Sequence, residues 1–230
     1  MKKWERYWNT FPNAVPEQNF LEQVGKTVNK KPISDEVYKE IVKSIQYNLN
    51  INYNDDVLDL CCGNGLITKS LSYECKSITG IDFSKKLIEI AKKHNSAQNI
   101  EYIYGDINDI YNFFKERTFS KAFLYEALQH FDTKQFEKLL ANLKLLIKER
   151  FIFFVGSVPD KNKKWKFYNT LRRKLSYIWK VIINDEAIGM WWDKDLIRQI
   201  CDKSNLHVQF IKQNDKLHTA HYRFDLYIYD

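Results

Sequence analysis

The chain has 230 residues and a formal net charge of +7, from 36 Lys and Arg against 29 Asp and Glu. Its hydrophobic fraction of 44% can build a core, but no apolar run approaches the roughly 18 residues of a membrane span. Four cysteines without CxxC spacing indicate no zinc site and no disulfide framework, and they stand at Cys61, Cys62, Cys75 and Cys201. Because the first residues also lack an apolar signal region, we predict a cytoplasmic protein without a bound metal. The positive charge favours anionic partners without choosing among them.

Residues 1–50 are polar and of helical character, and Pro12, Pro16 and Pro32 interrupt them. They precede the first apolar strand, so we predict a helical cap. From residue 51 the pattern alternates between short apolar runs and amphipathic segments. The predicted strands are 57–60, 77–81, 100–104, 121–125 and 151–155, and the predicted helices are 66–72, 84–94 and 134–148. This alternation predicts a parallel sheet with helices on both faces over residues 51–158.

The pattern changes after the fifth predicted strand. Residues 161–180 contain eight Lys and Arg and no Asp or Glu, with apolar residues at helical intervals. We predict a basic amphipathic helix within an insertion at 159–190. Three interpretations stay open: a solvated face over an apolar seam, a site for an anionic acceptor, or a helix on a membrane surface. Residues 191–230 predict a helix at 192–204 and two strands at 208–211 and 224–229, the last one antiparallel to the sheet.

The strongest motif is a glycine turn after the first predicted strand, Asp59-Leu-Cys61-Cys-Gly63-Asn64-Gly65. Glycines at a strand-to-helix turn let a ligand approach the backbone closely, and the helix N-terminus offers free N–H groups. A dinucleotide fingerprint would need a third glycine at position 68, where this chain has Thr68. NAD and FAD are therefore disfavoured.

Three successive predicted strands end in an aspartate, namely Asp59, Asp82 and Asp106. The carboxyl ends of parallel strands form the edge where open α/β sheets bind ligands. An acid about 20 residues beyond a glycine turn is placed to bind ribose hydroxyls. Each aspartate could instead cap the following helix, but three in this order favour a nucleoside-containing ligand.

These motifs resemble those of the class I S-adenosylmethionine-dependent methyltransferases, over residues 53–158. Val57-Leu-Asp-Leu-Cys-Cys-Gly-Asn-Gly65, Ile78-Thr-Gly-Ile-Asp-Phe-Ser84 and Tyr104-Gly-Asp-Ile107 are similar to the family's first three motifs. The resemblance implies a Rossmann-like, seven-stranded, mostly parallel sheet with an antiparallel final strand. It implies S-adenosylmethionine as cofactor and S-adenosylhomocysteine as product. Cys61 departs from the family's pattern, which often has Gly there.

The resemblance also implies a role for each cofactor-binding residue. Asp59 and the turn Gly63-Asn64-Gly65, with Cys61, would hold the methionine end. Asp82 would bind the ribose, Phe83 would lie beside the adenine, and Asp106 with Ile107 would meet the adenine amino group. Tyr125 would line the methionine side.

Three histidines are candidate general bases, which matter when a hydroxyl must lose its proton. His130 follows the fourth predicted strand, where the resembled family borders the transferred methyl group, and it could equally pack against the next helix. His218 and His221 precede the last strand and could face the site or lie in a loop. Glu126 could bind the cofactor ammonium or an acceptor hydroxyl, or it could be solvated.

We therefore predict an enzyme that methylates an oxygen of a small anionic or carbohydrate acceptor, a sugar or phosphorylated metabolite. The cap loosely resembles caps of methyltransferases in bacterial surface-polysaccharide pathways. A nucleic-acid methyltransferase is an alternative that the charge allows, but the chain lacks an Asn/Asp-Pro-Pro-aromatic motif and a Pro-Cys nucleophile. A non-catalytic S-adenosylmethionine-binding module is a second alternative. The oligomeric state stays open.

Overall fold

The computed structural model describes residues 2–183 and 185–230, with only the backbone of Lys2. The helices are α1 (Lys2–Thr10), α2 (Phe20–Gln23), α3 (Asp35–Leu49), α4 (Leu66–Leu71), α5 (Lys85–His94), α6 (Ile110–Phe114), α7 (Thr133–Leu146), α8 (Lys164–Phe167), α9 (Leu171–Ile182) and α10 (Lys194–Lys203). The strands are β1 (Thr27–Val28), β2 (Lys31–Pro32), β3 (Asp56–Leu60), β4 (Ser77–Asp82), β5 (Ile100–Tyr104), β6 (Lys121–Tyr125), β7 (Ile152–Pro159), β8 (His207–Lys212) and β9 (Arg223–Tyr229).

The seven longer strands form one sheet in the order β5-β4-β3-β6-β7-β9-β8. Strands β3 to β7 pair in parallel, and β9 pairs antiparallel with both β7 and β8. The predicted Rossmann-like sheet with an antiparallel final strand is thus confirmed. The strand order reverses between β3 and β6, and the crevice at such a switch point is where open α/β sheets bind ligands.

Alternate residues of the central strands supply two separate cores. On one face, Leu58 and Leu124 pack in a cluster with apolar residues of α6, α7 and α10. On the other face, Val57 and Phe123 pack with α3 and α4. This division follows from the two-residue repeat of a strand, which directs successive side chains to opposite faces.

Polar side chains cap α5 and α7, two of the helices that follow strands at this edge of the sheet. Ser84 Oγ accepts from the Leu87 N–H at the start of α5, as its position in the sequence predicts. Asp132 and Gln135 form a reciprocal capping box at the start of α7. These caps fix where each helix leaves the ligand-binding edge of the sheet.

Two local features differ from the predictions. The cap contains the small β1–β2 hairpin, whose turn residues Asn29 and Lys30 both have positive φ. No glycine marks this turn, so the usual hairpin signal is missing. The single basic helix predicted over 161–180 is instead a 3₁₀ turn followed by α8 and α9, with a break before Thr170, which caps α9.

Within the described part of the chain, the helices are all too short or too polar to cross a membrane.

Candidate functional site

The glycine turn lies between β3 and α4 and is held in place by Asp82 at the end of β4. Asp82 Oδ2 accepts from the Gly63 N–H at 2.9 Å, and Oδ1 accepts from the Ser84 N–H at 2.8 Å. Burial raises the pKa of Asp82 to about 6, although the two backbone hydrogen bonds oppose this effect. Gly63 and Gly65 have φ of 58° and 75°, in the left-handed region that favours glycine.

A cavity beside this turn, hereafter the first cavity, contains most of the predicted cofactor-binding residues. Cys61, Gly63, Asn64, Asp82, Phe83, Asp106, Ile107 and Tyr125 line it. Asp106 Oδ1 also accepts from the Asn108 N–H at 2.9 Å, so it caps the following 3₁₀ turn as well as facing the cavity.

Asp59 and Gly65 are the predicted cofactor residues that the first cavity does not include. Asp59 is buried, and it accepts a 2.5 Å hydrogen bond from the Thr68 hydroxyl of α4. Burial raises the pKa of Asp59 to about 8, against the opposing effect of the Thr68 bond. The Asp59 side chain therefore links β3 to α4, the two elements on either side of the glycine turn, and does not line the cavity.

The N-terminal segment covers the first cavity and is tied to the sheet edge by polar contacts. Asn64 Nδ2 donates to the Phe20 carbonyl at 2.8 Å and to Gln23 Oε1 at 2.9 Å. Ser84 Oγ donates to the Trp8 carbonyl at 2.9 Å. The cap thus contacts the same two loops that surround the cavity.

A buried ion pair joins the cap to the end of β6. Lys26 Nζ lies 2.7 Å from Glu126 Oε2, and both side chains are largely removed from solvent. Burial alone would raise the pKa of Glu126, but the positive charges of Lys26 and Arg223 outweigh it and lower the pKa to about 2. Glu126 has a φ of 57°, and Ser157 in β7 has a φ of 62°. A non-glycine residue with positive φ is strained and persists only where the surrounding structure holds it. Such residues cluster at functional sites.

His130 lies on a wall shared by the first cavity and a neighbouring second cavity. Its Nε2 accepts from the Trp8 indole N–H at 3.4 Å, and its ring centroid is 4.2 Å from that of Trp4. Its Nδ1 is buried and has no partner among the described residues. Burial lowers the pKa of His130 to about 3, and the charge of Arg223 adds to this effect. The imidazole is therefore neutral at neutral pH.

The second cavity lies between the cap, the 185–188 segment and the loop before β9. Arg223 lines it and is buried at 7% exposure. The guanidinium donates from Nη1 to the Ser157 carbonyl and to Gln129 Oε1. Its buried Nε has no hydrogen-bond partner, and no carboxylate of the described residues lies within ion-pair distance of it. A buried cation in this state is suited to an anionic ligand.

The other two candidate histidines, His218 and His221, lie in different environments. His218 lines the second cavity, and its buried Nδ1 has no partner among the described residues. Burial lowers its pKa, so it too favours the neutral form. His221 is exposed, lies outside the lining of both cavities and packs on the Tyr222 ring at 4.7 Å.

Several site residues were missed by the sequence analysis. Lys26 pairs with a residue 100 positions away, so no local pattern indicates it. Trp4 and Trp8 line both cavities from α1, a helix that the sequence indicates only as part of a cap. Arg223 had a usable signal, because it and Asp225 are the two charged residues of an otherwise apolar and aromatic strand.

The first cavity fits a nucleoside-containing ligand. The Asp82 carboxylate can accept from a pair of hydroxyls, because an ionised carboxylate has acceptor sites beyond those used by two backbone N–H groups. Phe83 and Ile107 offer apolar contacts to a base, and Asp106 can accept from an amino group. At Gly63, an added Cβ would lie 2.9 Å from Val24 of the cap, so the turn has no room for a side chain there.

The family model described as Methyltransferase domain matches residues 57–150 of this chain. The probable cobalt-precorrin-6B C(15)-methyltransferase (decarboxylating) of Methanocaldococcus jannaschii is 25% identical over 142 residues, which cover 57% of this chain and 71% of that protein. The ubiquinone biosynthesis O-methyltransferase of Coxiella burnetii is 32% identical over 114 residues, which cover 49% of this chain and 46% of that protein. The chain therefore spans less than half the length of this second relative.

A solved structure has a similar fold over the whole chain. The magnesium protoporphyrin IX methyltransferase from Synechocystis PCC 6803, with bound SAH, superposes with a TM-score of 0.66 at 15% identity and covers 99% of this chain and 98% of its own. The likeness therefore extends to the cap and the C-terminal strands, which lie outside the region of the family match.

Proposed function

We propose that this chain, a member of the class I S-adenosylmethionine-dependent methyltransferases, methylates an oxygen of a small anionic acceptor. Acidic sugars and phosphorylated metabolites are the acceptor classes that we favour. The names of the two relatives indicate different roles, methylation of a cobalt-precorrin and ubiquinone biosynthesis, so they do not identify the acceptor of this chain.

In the proposed arrangement, the first cavity holds the cofactor and the second cavity holds the acceptor. Asp82 binds the ribose hydroxyls, Phe83 and Ile107 contact the adenine, and Asp106 accepts from its amino group. The glycine turn and Tyr125 hold the methionine end, while Asp59 acts on it indirectly by bracing the turn. When bound, the cofactor supplies a sulfonium methyl group that is already activated for displacement.

Arg223 carries the proposal about the acceptor. Arg223 lines the second cavity and its buried Nε–H has no hydrogen-bond partner, and we propose that its guanidinium donates to a phosphate or carboxylate oxygen bound in that cavity. Such a contact would hold a hydroxyl of the same molecule against the wall that the two cavities share. Holding two reacting groups aligned at near contact can supply much of the rate of a transfer reaction.

The acceptor hydroxyl must lose its proton as the new C–O bond forms. His130 and His218 are the proposed bases, since both line the second cavity and His130 also lines the first. Burial lowers the pKa of both, which keeps them neutral but weakens them as bases, so the assignment rests on their position. The Trp8 indole N–H donates to His130 Nε2, so accepting a proton at that atom requires this contact to be released, whereas Nδ1 has no partner among the described residues. The imidazole would take up the proton that the acceptor hydroxyl loses.

The test compares turnover of paired acceptors, a phosphorylated sugar and its unphosphorylated counterpart. We expect a preference for the charged member of about tenfold or more in kcat/KM. Arg223→Met and Arg223→Lys should lose or reduce this preference while the cofactor Kd stays unchanged. Arg150→Met, at an exposed position, is the matched control. An equal rate for both acceptors, or an intact preference in Arg223→Met, would contradict the proposal.

The alternatives give different results in the same assays. A nucleic-acid methyltransferase would bind RNA or DNA with an affinity that falls steeply with salt. A non-catalytic module would bind the cofactor without turning over any acceptor.

The cytoplasmic location remains a proposal, supported by four cysteines that are all free. The link to surface polysaccharides and the division into a cap (1–50), a core (51–158), an insertion (159–190) and a C-terminal part (191–230) are also proposals.

A further inference from the structure

Helix α9 presents its apolar side to solvent. None of its residues is buried. Five large apolar side chains recur at helical spacing along one side, and each is at least half exposed: Leu171, Leu175, Ile178, Trp179 and Ile182. We call these five residues the apolar stripe. Of the three interpretations of this segment, the one in which an apolar seam packs on the protein does not hold for α9.

The opposite side of α9 contacts the protein. The Tyr177 ring packs on Tyr168 at 4.5 Å, and the Arg173 guanidinium lies 4.7 Å from the centre of the Phe167 ring. Lys180 lines the second cavity. These three residues of α9 are spaced four and three apart, so they share the face opposite the apolar stripe. The helix is thus anchored in an orientation that leaves its stripe uncovered.

Charge indicates what covers the stripe. At 3.6 residues per turn, Arg172 and Lys174 lie at the two edges of the stripe. The segment 161–180 adds further Lys residues and contains no acid. A second copy of this chain packed stripe to stripe would bring these basic edges together without carboxylates from the segment to pair with them. A surface with many negative charges and an apolar interior matches both features.

We propose that α9 binds peripherally to anionic lipid bilayers, with the apolar stripe inserted at the level of the headgroups. Arg172 and Lys174 would contact lipid phosphates from the edges while their stems lie along the apolar boundary. Trp179, an amphipathic ring within the stripe, suits the interface between water and hydrocarbon. This binding is independent of the proposed acceptor.

The experiment is sedimentation of the 230-residue chain with two kinds of vesicles, phosphatidylcholine alone and phosphatidylcholine mixed with phosphatidylglycerol. We expect binding to the mixed vesicles and little to phosphatidylcholine alone. A double variant, Leu175→Ser with Trp179→Ser, should reduce the partition coefficient by at least about tenfold, because two large apolar groups no longer leave water. These side chains are exposed in the free protein, so the variant should fold normally, which circular dichroism checks.

Two further variants sharpen the test. Arg172→Ser with Lys174→Ser should weaken binding and reduce its dependence on salt. Leu145→Ser, at a 61% exposed position of α7, is the matched control and should bind as the wild type does. Absence of binding to the mixed vesicles, or equal binding by the stripe variant, would overturn the proposal. A dimer in solution that the stripe variant converts to a monomer would assign the stripe to self-association and would also overturn it.

Discussion

Lys26 Nζ and Glu126 Oε2 lie 2.7 Å apart, in an ion pair that joins the N-terminal cap to the end of β6. The two residues are 100 positions apart in the chain. Lys26 also lies over the Tyr125 ring at 4.8 Å. Because Glu126 lines both cavities, this pair fixes the wall between the proposed cofactor and acceptor sites.

Replacing Lys26 by Met should strongly destabilise the fold. The substitution leaves a buried carboxylate without its cation, a change that typically costs about 3–5 kcal/mol. Urea unfolding measures this loss. Lys76→Met is the control, since Lys76 pairs with Asp56 at the surface and exposed pairs contribute about 0–1 kcal/mol. A similar loss in both variants would contradict the role of the buried pair.

The same pair predicts a dependence of stability on pH. The pKa of Glu126 is lowered from its ordinary 4.5 to about 2 in the folded protein. A depressed pKa contributes stability that is complete above the unfolded value and is lost as pH falls through the folded value. The contribution of Glu126 should therefore disappear between pH 4.5 and about 2, and Glu126→Gln should flatten the profile in that window. Superimposable profiles of stability against pH for the wild type and Glu126→Gln would refute this prediction.

Replacing Asp82 by Ala should weaken cofactor binding. We expect a loss of about 1–3 kcal/mol, the scale of leaving hydrogen-bonding groups without a partner. Calorimetry with S-adenosylhomocysteine gives the affinity, and Asp109→Ala, at an exposed position beyond the cavity, is the control. An unchanged affinity in Asp82→Ala would remove the ribose assignment.

Replacing His130 by Ala should lower turnover roughly a hundredfold or more, the scale of general base catalysis, with little change in cofactor affinity. His221→Ala should leave turnover unchanged, because that side chain lies outside both cavities. Steady-state kinetics with an identified acceptor measures the turnover of both variants. Full activity in His130→Ala would move the role of base to His218, which the corresponding Ala variant checks.

Replacing Gly65 by Ala should disrupt the glycine turn. Gly65 has a φ of 75°, and an added Cβ would collide with the Tyr102 hydroxyl. The hydroxyl has little freedom to move, because it donates to the Asn95 carbonyl at 2.8 Å. Gly25→Ala is the matched control, since Gly25 has a similar φ of 68° but room for a Cβ. Thermal unfolding should show a larger loss of stability for Gly65→Ala than for Gly25→Ala. Equal losses would mean that the positive φ alone, and not the collision with Tyr102, causes the loss.

The central sheet was predictable because each of its elements is encoded locally. Residues 100–104 and 121–125 are strands with the predicted bounds, and Ser84 caps α5 as predicted. The three aspartates were expected at one edge, since parallel strands end together there. Their individual roles were not predictable in the same way. Asp82 reaches the first cavity, whereas Asp59 turns to Thr68.

The sequence by itself determined the α/β alternation, the glycine turn and the aspartates at the strand ends, because strand periodicity and turn chemistry are properties of neighbouring residues. Only the tertiary structure decided which side chains share a cavity. Lys26, Glu126 and Arg223 come from three distant segments, and their proximity depends on how the cap and the last strand pack against the sheet. The outward orientation of the apolar stripe was decided in the same way, because periodicity defines the faces of a helix but not which face meets the protein.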